Sequence, residues 1–325
     1  MILTMKVRLE PNNKQFSKLF QSAGVARWAY NWSLGRQIEN YRDGGKFLQD
    51  GILRKELTLL KRTEEFRWLS SYSNNITKQA VKDSCNACKR FFNGVSNRPK
   101  FKSRKRSKPS FYQDTAKIKF KSGKVRLEKI GWVRLSEKNR IPEDASYANP
   151  RIIFDGLHWY ISVGIEVVQE PQTVLTSESV GIDVGIKYLA VCSNKEEPYK
   201  NINKTQRVKK LEKRLRRLQR KVSKKYEQNK KGGRYRKTCN IIELEKNIIK
   251  LHRRLDNIRT DYSHKITTEI VRTKPSRIVV ETLNIRGMLK NKHLSKALSQ
   301  QKLYTFKQQL KYKSESYNIE FVEAD

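Results

Sequence analysis

From Met1 to Glu10 apolar and basic residues alternate, and Pro11-Asn-Asn13 closes the segment as a turn closes a strand. The period then changes to three and four. Phe16, Leu19, Phe20, Ala23, Val25, Trp28, Ala29 and Trp32 fall on one face, which predicts an amphipathic helix with an aromatic stripe. A second helix fits Ile52 to Leu69, and a third fits Ile76 to Phe92 behind the polar cluster Ser73-Asn-Asn75. Residues 12–95 therefore read as a helical insertion.

The stretch from Asn97 to Ser110 is basic and carries two prolines, which forbid a continuous helix. Period two returns in Lys117-Ile-Lys-Phe120, Lys124-Val-Arg-Leu127, Trp132-Val-Arg-Leu135 and Arg151-Ile-Ile-Phe154, and again from Trp159 to Val167. Together with the first strand these predict a small antiparallel barrel or sheet. Residues 171–178 form a short polar linker. Beyond it lie a hairpin from Val180 to Ser193 and two long basic helices, Lys204 to Lys230 and Asn240 to Val271. Strand Arg277 to Leu283, helix Gln300 to Ser316 and strand Asn318 to Val322 follow. Leu211, Leu215, Leu218 and Val222 mark one helical seam and Ile241, Leu244, Ile248, Leu251, Leu255 and Ile258 the other, so the two basic helices should pair as an antiparallel hairpin. The order strand, hairpin, helix, strand, helix, strand describes most of an RNase H-like fold. The expected class is α+β and multidomain: a small β-barrel at 1–11 and 96–170, helices at 12–95, and an α/β domain at 179–325 with a helical hairpin at 204–272.

Charge narrows the partners. Lys and Arg number 71 against 32 Asp and Glu, a net charge of +39 over 325 residues, which calls for a polyanion. An anionic membrane would need an apolar span or anchor; no run approaches the roughly 20 apolar residues that cross a bilayer, so nucleic acid is the expected partner. The four cysteines, Cys85, Cys88, Cys192 and Cys239, make no disulfide framework and fit a reducing cytoplasm.

Two carboxylates stand where strands end. Asp183 lies between Ile182 and Val184, flanked by Gly181 and Gly185, which leave room for a phosphate or a second backbone; Glu281 follows Ile278-Val-Val280. Hard oxygen ligands on neighbouring strands suit a divalent cation, while spacing alone fits strand ends or turn caps equally well. The helix from Thr205 to Lys225 carries Lys209, Lys210, Lys213, Arg214, Arg216, Arg217, Arg220 and Lys221. Like charges three and four residues apart repel unless an anion lies alongside, and a phosphate backbone is such an anion. Lys100, Lys102, Arg104, Lys105 and Arg106 form a second basic group, with Phe101 and Tyr112, and Tyr30 and Trp32 earlier, as candidate stacking residues. Cys85 and Cys88 have no partner pair and read as buried helix residues rather than zinc ligands. The four histidines have no catalytic spacing.

Gly181-Ile-Asp-Val-Gly-Ile-Lys-Tyr-Leu-Ala190, Asn201-Ile-Asn-Lys-Thr205, Leu211-Glu-Lys-Arg-Leu-Arg-Arg-Leu218 and Val280-Glu-Thr-Leu-Asn-Ile-Arg-Gly-Met288 together resemble the TnpB family of transposon-encoded RNA-guided DNA nucleases, over the whole chain. The resemblance implies that the helical insertion is a recognition lobe, the barrel a wedge domain and the second half a RuvC-like nuclease, with Asp183 and Glu281 as its first two catalytic carboxylates. It also implies a guide RNA, a double-stranded DNA target with a short adjacent motif, and Thr77, Lys78, Gln79 and Lys82 as candidate readers of that motif. Family members usually continue past a strand like Asn318-Ile-Glu-Phe-Val322 into a zinc ribbon and a third catalytic Asp, whereas this sequence stops at Asp325. Two carboxylates are a poor cage for two Mg²⁺ ions, so little or no cleavage is expected. That points to the nuclease-dead, TnpB-derived TldR group of RNA-guided transcriptional repressors acting in the bacterial cytoplasm, at the nucleoid. The alternatives are a metal-dependent RNA-guided endonuclease seen as a truncated chain, and a non-specific nucleic-acid-binding protein.

Overall fold

A computed structural model of the protein describes residues 2–166 and 174–324. The chain divides into two compact units at Val167. Of the predicted linker at 171–178, residues 171–173 lie outside the described residues.

The first unit opens with strand β1 (Ile2–Glu10), whose Val7 and Leu9 are buried. Helix α1 (Asn13–Arg42) starts at a reciprocal cap: the Asn12 side chain accepts from the Gln15 amide at 2.9 Å, and the Gln15 side chain accepts from the Asn12 amide at 3.1 Å. Two otherwise orphaned N–H groups are thereby satisfied, which fixes the helix start. Gln15 also donates to the Trp132 carbonyl at 2.8 Å and ties this end to the sheet. Ser22, Ala23, Ala26, Ala29 and Ser33 are all buried on α1, and such small side chains let helix α3 (Asn74–Phe92) approach through Ile76, Ala80, Ser84 and Cys88.

The single helix expected from Ile52 to Leu69 is in fact two elements, α2 (Asp50–Leu60) and a short 3₁₀ helix at Glu64–Ser71. The Thr63 hydroxyl donates to the Leu60 carbonyl at 2.7 Å and satisfies a group that a continuing helix would have bonded. The sheet comprises β2 (Ser110–Tyr112), β3 (Lys119–Lys121), β4 (Lys124–Leu127), β5 (Gly131–Leu135), β6 (Tyr147–Phe154) and β7 (Trp159–Glu166) with β1, in the order β2-β6-β7-β1-β5-β4-β3. All recorded pairs are antiparallel. β1 pairs with β7 over Ile2–Arg8 and with β5 at Leu9 and Glu10. The hydrogen-bonded order has two ends, so the expected barrel is an open sheet. Its terminal strands are three residues each, and exposed Lys119 and Lys121 flank the buried Phe120 of β3, a charged edge that resists further pairing.

The second unit is a five-stranded sheet flanked by helices. It contains β8 (Ser179–Val184), β9 (Tyr188–Cys192), β10 (Tyr199–Lys200), α4 (Gln206–Gln228), a small hairpin β11 (Lys230–Lys231) and β12 (Arg234–Tyr235), α5 (Cys239–Arg272), β13 (Arg277–Glu281), α6 (Ile285–Met288), α7 (Ser295–Gln301), α8 (Leu303–Ser316) and β14 (Glu320–Ala324). The sheet order is β10-β9-β8-β13-β14; β9 runs antiparallel to β8, while β13 runs parallel to both β8 and β14. Val208, Leu211 and Leu215 of α4 meet Leu251 and Leu255 of α5 in a separate apolar seam, as the helical periodicity predicts. Gly232 and Gly233, at φ +53° and +75°, make the turn between them, a conformation only glycine adopts without strain.

The helix expected over 300–316 is broken at Lys302, whose backbone is left-handed at φ +56°. Its ammonium group reaches Asp256 and donates to the Thr260 hydroxyl at 3.0 Å, both on α5, so a tertiary tie holds the break. The last strand begins at Glu320 rather than Asn318, because Asn318 at φ +58° is still turning the chain. On α8, Lys313 donates to the His264 carbonyl and to the hydroxyls of Thr267 and Thr268 at 2.7–2.8 Å. Burial pushes its ammonium pKa down from 10.5 to about 8. The unfolded chain then binds more protons than the native chain between those values, so stability rises with pH across that window, and the cost of the buried charge is present in full below it. Denaturant titrations should show a Lys313-dependent rise on the order of 1–2 kcal/mol between about pH 8 and 10.5, smaller than the full shift implies because solvent screens the half-buried group and three oxygens stabilise the cation. Lys313→Met should remove that rise.

Candidate carboxylate site and nucleic-acid interface

Strand alternation and register bring Asp183 and Glu281 together. Val180, Ile182 and Val184 are buried on β8, and Ile278 and Val280 on β13. The parallel register pairs Ser179 with Arg277 and continues to Ile182 with Val280. One residue further on lie Asp183 and Glu281, both exposed on the face opposite the core. Neighbouring strands are about 4.8 Å apart, so the two carboxylates share one strand spacing. Neither has a hydrogen-bond or ion-pair partner among the described residues. Two like charges side by side on a sheet repel, and hard oxygen donors in this arrangement are suited to a divalent cation. Among the described residues no third His, Cys, Asp or Glu joins them; Asp325 lies outside those residues.

The glycines flanking Asp183 have open space beside them. A Cβ on Gly181 would meet Ser193 at 3.9 Å and one on Gly185 the Tyr188 carbonyl at 3.7 Å, both ordinary contacts. What the spacing did not reveal is a cleft of about 270 Å³ beside Glu281, bounded by Asn284, Tyr304 and Lys307. Tyr304 and Lys307 lie three residues apart on α8, and the Lys307 ammonium is held by Glu323 at 2.6 Å. A helical i, i+3 pair of aromatic and cation was the only available signal.

All eight basic residues named on α4 are exposed, and none has an ion-pair partner among the described residues. The acid in their midst, Glu212, is committed elsewhere: it accepts from Arg259 and from Gln300, each at 2.8 Å. Packing explains the pattern, since Val208, Leu211 and Leu215 take the face against α5 and leave the cations outward.

The α3 group divides. Lys78 and Lys82 are exposed. Thr77 is 1% exposed, and its hydroxyl donates to the Asn74 carbonyl and accepts from Lys61, so as a motif reader it is corrected to a structural residue. Burial, then the neighbouring Lys78 charge, pushes the Lys61 pKa down to about 8. Gln79 donates to Asp83 at 2.9 Å, and Asp83 is clamped by Arg151 through two bonds of 2.6 and 2.9 Å. Those bonds hold the Asp83 carboxyl below its ordinary range against the opposing effect of burial. In the second basic group Lys100, Arg104, Lys105 and Arg106 are exposed, but Lys102 is half-buried over the Tyr30 ring at 3.7 Å. Tyr30 itself is core, Trp32 stacks on Trp28, Tyr112 lies under Arg151, and Phe101 is exposed. Cys85 and Cys88 are buried in α3.

Comparison with known proteins places the chain in a family. A family profile of IS605 OrfB type, described as a probable transposase, matches residues 162–292, and one described as a helix-turn-helix domain matches residues 1–46. In this chain the latter span holds β1 and the single helix α1. An Escherichia coli (strain K12) protein named "Putative RNA-guided DNA endonuclease InsQ" is 29% identical over 88% of this chain and 67% of its own length. A Streptomyces pristinaespiralis protein named "Putative RNA-guided DNA endonuclease" is 30% identical over 98% of this chain and 76% of its own. The chain also shares an α+β fold with Cas12f1 as seen in a Cas12f1–sgRNA–target DNA complex, with a TM-score of 0.59 at 11% identity, covering 99% of this chain and 89% of that one. These relatives overturn the expectation of a protein that is not an enzyme. That expectation rested on the position of the last residue, which carries no information about activity.

Replacing Arg214, Arg216, Arg217 and Arg220 together with Ala should weaken nucleic-acid retention and flatten its salt dependence by up to about 0.7–0.9 in log–log slope for each phosphate no longer neutralised. Filter binding across a salt series checks this, and an unchanged slope would remove α4 from the interface.

Proposed function

Because the chain belongs to the TnpB/IS605 family of transposon-encoded proteins, we propose that it is an RNA-guided, metal-dependent DNA endonuclease whose cutting site contains Asp183 and Glu281. The observation that carries this reading is the pair of unpartnered carboxylates that lie side by side on parallel strands β8 and β13, each one residue past the Ile182–Val280 pair. In a chain with 71 cations, two adjacent acids left without an ion pair favour an external cation as their partner.

The second unit has the strand order of an RNase H-like sheet, which supports a RuvC-like assignment for 179–325 with the α4–α5 hairpin as its insertion. The open sheet of the first unit takes the wedge role and α1–α3 that of a recognition lobe. Lys78, Gln79 and Lys82 remain the motif-reading candidates. The target strand is read by pairing with a guide RNA, so the protein's task is to hold backbones rather than bases. The exposed cations of α4 suit that task, since phosphate contacts position a duplex without specifying its sequence. Asp183 and Glu281 would hold Mg²⁺, and their donor chemistry fits it: hard, anionic oxygens free of competing cations. When bound, the ion polarises a phosphoryl oxygen of the strand to be cut. Lys307 and Tyr304, beside Glu281, are placed to contact the phosphate and base next to that position.

Protein purified with its own RNA should contain one dominant RNA species and cleave matched duplex DNA in Mg²⁺, with cleavage stopped by a chelator. Asp183→Ala and Glu281→Ala should each lower the single-turnover cleavage rate roughly a thousandfold, with DNA affinity nearly unchanged. Matched DNA that is bound and left intact under all divalent ions would overturn the endonuclease reading, and heterogeneous RNA would overturn the guide.

A further inference from the structure

Outside the carboxylate site, the first unit has an aromatic cleft that none of the proposed activity uses. It has a volume of about 530 Å³ and lies between the end of α1, the loop after it and the end of α3. Its apolar wall includes Ile38, Tyr41, Phe47, Phe91 and Phe92. Tyr41 is 72% exposed and Phe92 60%, although both are large rings that a soluble fold gains by burying. The phenylalanine rings are set against one another: Phe92 meets Phe47 edge-on at 6.0 Å and Phe91 at 5.6 Å.

The polar edge of the cleft is cationic. Arg42, Lys46 and Arg98 line it, and no Asp or Glu does. Lys89 adds an ammonium 5.7 Å from the Phe47 ring. None of these four has an ion-pair partner among the described residues, and the nearby Glu39 is taken by Arg36 at 3.0 Å. The amide donors of the lining are turned inward, since Asn40 donates to the Lys46 carbonyl and Gln37 to the Leu48 carbonyl within the protein. The occupant must therefore present flat apolar faces and negative charge, the latter to the cationic donors of Arg42, Lys46 and Arg98.

We infer that this cleft is a stacking site for unpaired nucleotides, with bases on Tyr41 and Phe92 and phosphates on Arg42, Lys46 and Arg98. Unpaired nucleotides meet both requirements, whereas a duplex hides its base faces. Stacking with free cations and inward-turned amide donors makes the site tolerant of sequence. The inference rests on the reading of the chain as an RNA-binding protein and adds to it a place where single-stranded RNA, rather than a helix, is held.

The test uses the full chain freed of its RNA, with three probes: a uridine decamer carrying 5-iodouridine, an abasic decamer of equal charge, and phosphatidylserine vesicles. Photo-cross-links should map to Tyr41, Phe91 or Phe92. Tyr41→Ala with Phe92→Ala should weaken the uridine decamer about tenfold or more while leaving the abasic decamer nearly unchanged, and Phe92→Trp should retain binding. Unchanged thermal melting of the variants separates lost stacking from lost folding; if the double variant melts early, the cross-link positions and the ratio of uridine to abasic affinity in the unaltered chain decide. Equal affinity for the two decamers, or cross-links confined elsewhere, would overturn the stacking site. Aromatic-dependent vesicle binding without decamer binding would replace it with a membrane surface. Loss of decamer binding only in the α4 quadruple variant would sink this site alone, whereas no decamer binding by the unaltered chain would sink the RNA reading itself.

Discussion

Thirty-nine excess positive charges repel one another within this protein, and the fold offsets part of that repulsion by placing several of its scarce acids in ties between distant segments. Asp83 joins α3 to β6 through Arg151, Glu212 joins α4 to α5 through Arg259, and Asp256 holds the α7–α8 break through Lys302. Glu128 binds Lys117, and Glu323 binds Lys307. The Asp83–Arg151 and Glu212–Arg259 pairs are largely covered by protein, where a charge pair is worth more than on the open surface. The cations left over point outward, which is why α4 presents an unneutralised face.

Against that pattern Asp183 and Glu281 stand out. They are two acids without cations that the sheet register sets side by side. The repulsion between them is the consequence of one geometric fact, the parallel register of β8 and β13. A shift of one residue in that register would turn one of the two side chains toward Ile182 and Val280 and dissolve the pair. The core under the sheet, Val180, Ile182, Ile278, Val280, Phe306 and Leu310, is therefore what positions the site.

The aromatic cleft of the first unit reflects the same charge constraint from another side. Rings left exposed among unpaired cations are stable in water only because the cations keep the surface soluble, and they have a ready use wherever a flat anionic ligand is present. The same residue types give opposite outcomes within that unit: Lys102 over Tyr30 is internal, because Asn31 bonds its backbone in both directions, while Arg42 beside Tyr41 has no such anchor.

Much was legible in the order of residues. Helical periodicity located α1, α3, α4 and α5, alternation located most strands, and the pattern of a carboxylate closing an apolar strand picked out Asp183 and Glu281, because period and local chemistry are properties of the chain itself. Other features were decided only by tertiary contact. The Lys302 break needs Asp256 and Thr260 from another helix, the burial of Thr77 needs Lys61 from another element, and the open ends of the first sheet depend on which strands meet. Exposure is the clearest case: the Tyr41–Phe92 cleft looks in sequence like any aromatic core. Whether a side chain faces solvent or a neighbour is set by packing between distant segments, and no local period carries that information.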